Sequence, residues 1–298
     1  MTLAAPFPYF GGKRRAAPRI WQALGDPAGY VEPFAGSAAV LLARPDFTGR
    51  RVETLNDADG WLVNTWRAIQ LSPAEVAHHA WGPVAEIDYH ARLAWLQQRR
   101  TPDLVAWLEG DPEAHDAKAA GWWLYVVACG IGDPFGPGPW RVIDGHLRKL
   151  PHLGDAGQGP LEAYMSQLAD RLRRVRITCG SWERVVKPSV TRSGTGGDGA
   201  RAVFLDPPYA TSGDLYAHVD TDVALAVREW CITAPRELRV ILCGYDTEHD
   251  DLLVRGWSVT EGKAGGGAGY STNGLNGRRE RLWLSPACVG SAQPDLFA

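Results

Sequence analysis

Residues 202–209 read Ala202-Val203-Phe204-Leu205-Asp206-Pro207-Pro208-Tyr209. The apolar run Ala202–Leu205 has the length and composition of a buried strand, so Asp206 is expected at its carboxyl end, the edge where open α/β sheets place their ligands. Pro207 and Pro208 each fix φ and remove a backbone donor. What remains is a stiff loop offering a carboxylate, outward carbonyls and an aromatic ring. Such a set suits a flat heterocycle with an exocyclic amine: the oxygens accept from the NH2 while Tyr209 covers the ring face. A Pro-rich turn closing a core strand accounts for the same residues without any ligand.

Three stretches nearer the amino terminus carry related chemistry. Pro8-Tyr9-Phe10-Gly11-Gly12-Lys13-Arg14 joins an aromatic pair to two glycines that permit close backbone approach, followed by a cation suited to a carboxylate. Tyr30-Val31-Glu32-Pro33-Phe34-Ala35-Gly36-Ser37-Ala38-Ala39-Val40 reads as a short strand turning at Pro33, with small residues leading into an apolar helix over 38–42, so that backbone N–H groups could line a pocket at the helix start. It is not a dinucleotide fingerprint, because the second and third glycines are missing. The strand over 51–55 then runs into Asn56-Asp57. An acidic residue there can accept from both hydroxyls of a ribose, and it can equally cap a helix over 58–69.

Taken in order, these segments resemble the Dam-type, or D12-class, DNA adenine-N6 methyltransferases. The likeness covers both ends of the chain and leaves roughly residues 61–175 unmatched. It implies S-adenosylmethionine as cofactor and flipped-out adenine in double-stranded DNA as substrate. Asp206, Pro207, Pro208 and Tyr209 fall on the catalytic motif. Tyr9, Phe10, Gly11, Gly12 and Lys13 match the amino-terminal cofactor motif, and Glu32, Pro33, Phe34, Ala35 and Gly36 the cofactor loop. Asp57 matches the ribose ligand. After the strand 176–179 the family has Gly-Asp-aromatic, where this chain has Gly180-Ser181-Trp182. Ser181 therefore offers the cofactor's adenine a neutral acceptor in place of a carboxylate, with Glu183 the alternative source. Leu242-Cys243-Gly244-Tyr245-Asp246 is similar to the family's Ser-Gly-Tyr run, and Arg279-Glu280-Arg281-Leu282-Trp283 to its Glu-x-x-Trp strand. The implied fold is a Rossmann-like methyltransferase core of residues 1–60 and 176–298, with an inserted, mostly helical recognition domain at 61–175.

Composition agrees with this reading. A chain of 298 residues that is 45% hydrophobic can bury a sizeable core. It has no run of eighteen apolar residues and its first ten have no signal-peptide layout, so a membrane protein is not expected, and the bacterial or phage-infected cytoplasm is the expected compartment. The five cysteines form no Cys-x-x-Cys pair, and neither a disulfide framework nor a zinc site is expected. His78-His79 reads as helix surface. A formal net charge of −3 leaves DNA contact to local clusters: Arg14-Arg15, Arg99-Arg100, 171–176 and Arg278-Arg279, each of which could equally be solvated surface.

Between the motifs, hydrophobic spacing predicts helices over 61–69, 89–108 and 119–128 and a Gly/Pro-rich loop at 130–139. Leu161, Tyr164, Met165, Leu168, Leu172 and Val175 recur at helical spacing. Strands are expected at 175–179, 202–205, 239–243, 257–260 and 281–285, with a helix over 221–233 and a glycine-rich loop at 262–277. The last residues, Gln293-Pro294-Asp295-Leu296-Phe297-Ala298, resemble a sliding-clamp-binding peptide, with Gln293, Leu296 and Phe297 as its anchors; folding of Phe297 onto the core is the alternative. Two other functions fit less of the pattern: a catalytically silent DNA-binding relic, and methylation of another planar amine in RNA or on a protein glutamine.

Overall fold

The computed structural model describes residues 3–7, 12–45, 48–82, 85–99, 103–111, 113–129, 141–143, 146–148, 158–191, 197–208, 221–261 and 280–290. Tyr9, Phe10, Gly11, Tyr209, the loop at 130–139, the segment 262–277 and the anchors Gln293, Leu296 and Phe297 lie outside them. The chain divides into two compact units, residues 1–4, 13–56 and 181–298 in the first and residues 5–12 and 57–180 in the second.

The first unit is mixed α/β around a central sheet. Its elements are helix α1 (Ala17–Leu24), strand β1 (Gly29–Glu32), the single turn α2 (Ala39–Leu42) and strand β2 (Val52–Asp57). Helices α3 to α8 and strands β3 to β5 fall in the second unit and are given below. The first unit then continues with α9 (Pro188–Thr191), β6 (Arg201–Leu205), α10 (Thr221–Thr233), β7 (Arg239–Tyr245), β8 (Ser258–Glu261) and β9 (Glu280–Leu284). Its strands lie side by side in the order β2-β1-β6-β7-β9-β8. The pairs β1–β2, β1–β6 and β6–β7 are parallel, and β9 runs antiparallel to both β7 and β8.

This order places the site. From β1 the chain crosses to β2 on one side, and β6 takes the other side, so the direction of winding reverses between β1 and β6. Such a reversal opens a crevice at the carboxyl ends of the strands. In register, Gly29 faces Arg201 and Val31 faces Val203. Pro33 and Asp206 consequently leave neighbouring strands at the same edge. The apolar side chains Val31, Val203, Leu205, Val240, Leu242 and Trp283 pack beneath this edge in one cluster.

A buried ionic knot anchors the opposite end of β1. The Arg44 guanidinium, fully buried, donates to Glu53 Oε1 and Asp26 Oδ1, both at 2.9 Å, and lies 5.0 Å from the Trp21 ring. Arg51 and Asp26 form a further ion pair. These contacts fasten the amino-terminal helices to the sheet.

The second unit is largely helical: α3 (Gly60–Leu71), α4 (Pro73–Ala80), α5 (Glu86–Arg99), α6 (Asp103–Gly110), α7 (Ala117–Cys129) and α8 (Gln158–Leu172). It also holds the antiparallel pair β3 (Arg141–Ile143) and β4 (His146–Arg148), and the strand β5 (Val175–Cys179). The reading of 89–108 as one helix is corrected here to two. The helical spacing that ran to Val175 is likewise corrected, since α8 stops at Leu172 and Val175 opens β5. Helix α3 is capped by Asp59, whose Oδ1 accepts from Trp61 N at 2.8 Å, rather than by Asp57. Asn64, buried inside α3, exchanges two hydrogen bonds with the backbone of Asp116, and Asp116 caps α7 through Ala119 N. His78 and His79 lie on α4, the first exposed and the second partly covered. All five cysteines are buried. Among the described residues no helix is long and apolar enough to cross a membrane.

Candidate active site

Asp206 follows the last residue of β6, with Pro207 buried and Pro208 half-buried behind it. Its carboxylate is held rather than loose. The Lys13 ammonium lies 2.9 Å from Asp206 Oδ2 and 3.4 Å from Glu280 Oε1, with only 3% of the Lys13 side chain exposed. Lys13 is fixed in turn by its own carbonyl, which accepts from Ala17 N at 2.8 Å just before α1. Burial pulls the Lys13 ammonium toward the neutral form, but the Asp206 and Glu280 carboxylates outweigh it, and its pKa lies above the ordinary lysine value. The fully buried Cys243 thiol also donates to Asp206. Burial and the neighbouring carboxylates push that thiol's pKa well up, so it acts as a neutral donor.

The sequence placed Lys13 opposite a cofactor carboxylate. In the structure its described partners are two protein carboxylates, so Lys13 also holds Asp206 in place. Glu280 and Cys243 were visible only as members of similar segments. Their place beside Asp206 comes from strand register, with Leu205 facing Leu242 and Tyr245 facing Glu280.

The Glu32–Gly36 loop leaves β1 beside this group. Asn56 Nδ2 donates to the Pro33 carbonyl at 3.0 Å, and Ala35 N donates to the Asn56 carbonyl at 2.9 Å, which ties the loop to the end of β2. Gly36 and Ala38 both take left-handed backbone, with φ of 46° and 51°. Glycine accepts this conformation freely and alanine at a cost of about 1–2 kcal/mol, a strain that the surrounding bonds must hold. The helix beyond is one turn, Ala39–Leu42, so the expected pocket of helix-start N–H groups is reduced to a loop. One of those N–H groups, on Leu41, instead donates to Glu32 Oε2 at 3.2 Å, where the Tyr30 hydroxyl also donates at 3.0 Å. Burial is the dominant influence on Glu32 and pushes its pKa up to about 8, against the pull of those two hydrogen bonds.

Phe34 and Trp182 line the same unit, their rings 6.2 Å apart and 30° from parallel. Trp182 begins a short turn for which Ser181 supplies the carbonyl acceptor to Arg184 N at 3.2 Å. Ser181 and Glu183 are both exposed. A buried loop with two left-handed residues and an aromatic pair suits a flat ring carrying a polar tail, which is the shape of a nucleoside-based cofactor. Gly12 and Asp57 belong to the second unit. Gly12 is exposed, and Asp57 Oδ1 accepts from Asp59 N at 3.0 Å while its carbonyl accepts from Gly180 N at 2.9 Å. Among the described residues no group of three or more His, Cys, Asp or Glu side chains is placed to hold a metal ion.

No curated protein matches the chain at a significant level. Residues 9–82, which carry Lys13, the Glu32–Gly36 loop and Asp57, match the family model of D12 class N6 adenine-specific DNA methyltransferase.

Proposed function

We propose that the protein is a site-specific DNA methyltransferase, transferring a methyl group from S-adenosylmethionine to N6 of an adenine flipped out of duplex DNA in the bacterial cytoplasm. The observation that carries the reading is the Asp206 carboxylate at the end of β6, held by Lys13 beside the Glu32–Gly36 loop of the neighbouring strand. The match over residues 9–82 supports the same class.

S-adenosylmethionine, when bound, supplies a methyl group already activated on a sulfonium, so the chain's own task is to make the adenine amine accept it. The N6 lone pair is delocalised into the ring and barely nucleophilic. The protein must favour a pyramidal nitrogen that exists only near the transition state. Asp206 and the Pro207 carbonyl would accept the two amino hydrogens and stabilise the positive charge that develops there. The stiffness of Pro207 and Pro208 fixes these acceptors in place, and Tyr209 would cover the base face. Phe34, Trp182 and the backbone of the 33–36 loop would hold the cofactor's ring, with Asp57 on its ribose and Ser181 on its adenine amine by resemblance. Inside a duplex the amine is out of reach, which is why flipping, at about a few kcal/mol, belongs to the proposal.

The test is incubation of the purified protein with methyl-labelled cofactor and assorted duplex DNA, followed by digestion to nucleosides. N6-methyladenine at a fixed sequence is the expected product. Label on cytosine, in RNA, on a protein glutamine, or on nothing would overturn the reading.

A further inference from the structure

One face of the α5–α7 helix pair carries a ladder of alternating cations and rings. Along it, the Arg99 guanidinium lies 4.3 Å from the Trp95 ring, and the Lys118 ammonium lies 5.1 Å from Trp95 and 4.4 Å from Trp122. The Arg92 guanidinium lies 5.8 Å from Trp122 and 3.8 Å from Tyr125. Trp95 and Trp122 meet edge to face at 4.8 Å. The pattern follows from helical spacing, since Arg92, Trp95 and Arg99 share one face of α5, and Lys118, Trp122 and Tyr125 one face of α7.

Aromatic faces satisfy these cations in an unusual way. A guanidinium stacked on a ring keeps its N–H edge pointing outward, whereas an ion pair with a carboxylate would occupy that edge. Among the described residues, no carboxylate lies within ion-pair distance of Arg92, Arg99 or Lys118, although the Asp88 charge acts on Arg92 from farther off. Arg92 Nη1 is moreover covered by protein yet has no hydrogen-bond acceptor. Arg99 is exposed and Lys118 half-exposed. At the surface, Arg99 and Lys118 therefore carry positive charge stacked on rings, with no carboxylate partner among the described residues, in a protein whose formal net charge is −3.

We infer that this α5–α7 face binds the phosphate backbone of double-stranded DNA. The inference rests on the proposed DNA substrate and adds a surface to it. Its rings are already covered by cations, so bases would not stack on it, and the contact would position the duplex without reading its sequence. From Arg92 to Arg99 the stripe covers about 10 Å, enough for adjacent phosphates of one strand.

The test is fluorescence anisotropy of the full chain on a labelled random-sequence duplex across a salt series. In R99A/K118A the affinity is expected to fall about tenfold at low salt, and the slope of log K against log salt to become shallower by about two. R99A alone, at the exposed end of the ladder, should lose about half of that slope, and Arg99→Lys should keep most of it. Circular dichroism and melting of each variant establish that the helices persist. Affinity and slope equal to wild type in folded R99A, or a loss for duplex RNA or single strands but not duplex DNA, would overturn the inference. The two readings fail separately. A wild-type protein that binds duplex through this face but transfers no methyl group refutes the enzyme and leaves the surface. One that methylates while R99A/K118A binds normally does the reverse.

Discussion

The Lys13 ammonium sits 2.9 Å from Asp206 Oδ2, inside the protein, with Glu280 at 3.4 Å on its other side. One cation thus joins the segment before the first helix to the ends of two strands. Removing it would leave two carboxylates facing each other with little water. Lys13→Met is expected to destabilise the first unit by about 3 kcal/mol. Adding Glu280→Gln should return part of that loss, because it removes one of the stranded charges. Urea unfolding of the single and double variants measures both. Strictly additive effects would show that the three groups do not act as one cluster.

Asp206→Ala tests the reacting end of the same cluster. Loss of the acceptor at the amine should lower turnover by about 100-fold or more. Glu280 still pairs with Lys13, so the fold and cofactor binding should survive, as calorimetry with S-adenosylmethionine would report. Near-wild-type turnover would falsify the catalytic role of Asp206.

Packing in the helical unit yields a prediction from a position with no chemistry at all. Gly121 lies in the middle of α7, and a Cβ there would sit 2.5 Å from His79 Cβ, 2.7 Å from the Val76 carbonyl and 2.8 Å from Ala80 N. Two of those contacts are backbone of α4, which cannot step aside. Gly121→Ala should therefore destabilise by about 1–3 kcal/mol, even though alanine favours helix over glycine by about 1 kcal/mol. A rise in the denaturation midpoint would mean that α4 and α7 can separate at little cost.

What could be read from the sequence follows from how local each signal is. The run Ala202–Leu205 and the two prolines after it determine a strand and its end within eight residues, and the strand appears at Arg201–Leu205. The helix expected over 221–233 appears with those bounds for the same reason. Lys13 carries a charge whose protein partners depend on sheet order, and Glu280 lies at the far end of the chain, so no local segment displays their pairing. Asp57 and Asp59 are equally plausible caps by composition, and only the position of the first helical turn separates them. The β3–β4 pair has three residues per strand, too few to display an alternating pattern within a helical insertion. The cation–aromatic ladder was present as tryptophans and arginines. Its face became visible only once α5 lay against α7.

Glu32 gives a prediction in which pH is the variable. Burial raises its pKa from an ordinary 4.5 to about 8, so the folded protein keeps the carboxyl protonated where the unfolded chain has ionised it. This is the reverse of the common salt-bridged carboxylate. Between about pH 4.5 and 8 the folded state binds the extra proton, and stability falls as pH rises, by up to about 1.4 kcal/mol per pH unit from this group. Below that window both states are protonated and above it both are ionised, so the contribution levels off on either side. Glu32→Gln keeps a carbonyl to accept from Tyr30 Oη and Leu41 N while removing the titration. The burial of its amide shifts stability by an amount that does not depend on pH. Unfolding by urea at pH 5, 6, 7 and 8 should show wild type losing ground to the variant at each step. Parallel stability curves for the two proteins would mean that Glu32 ionises in the folded state as it does in water.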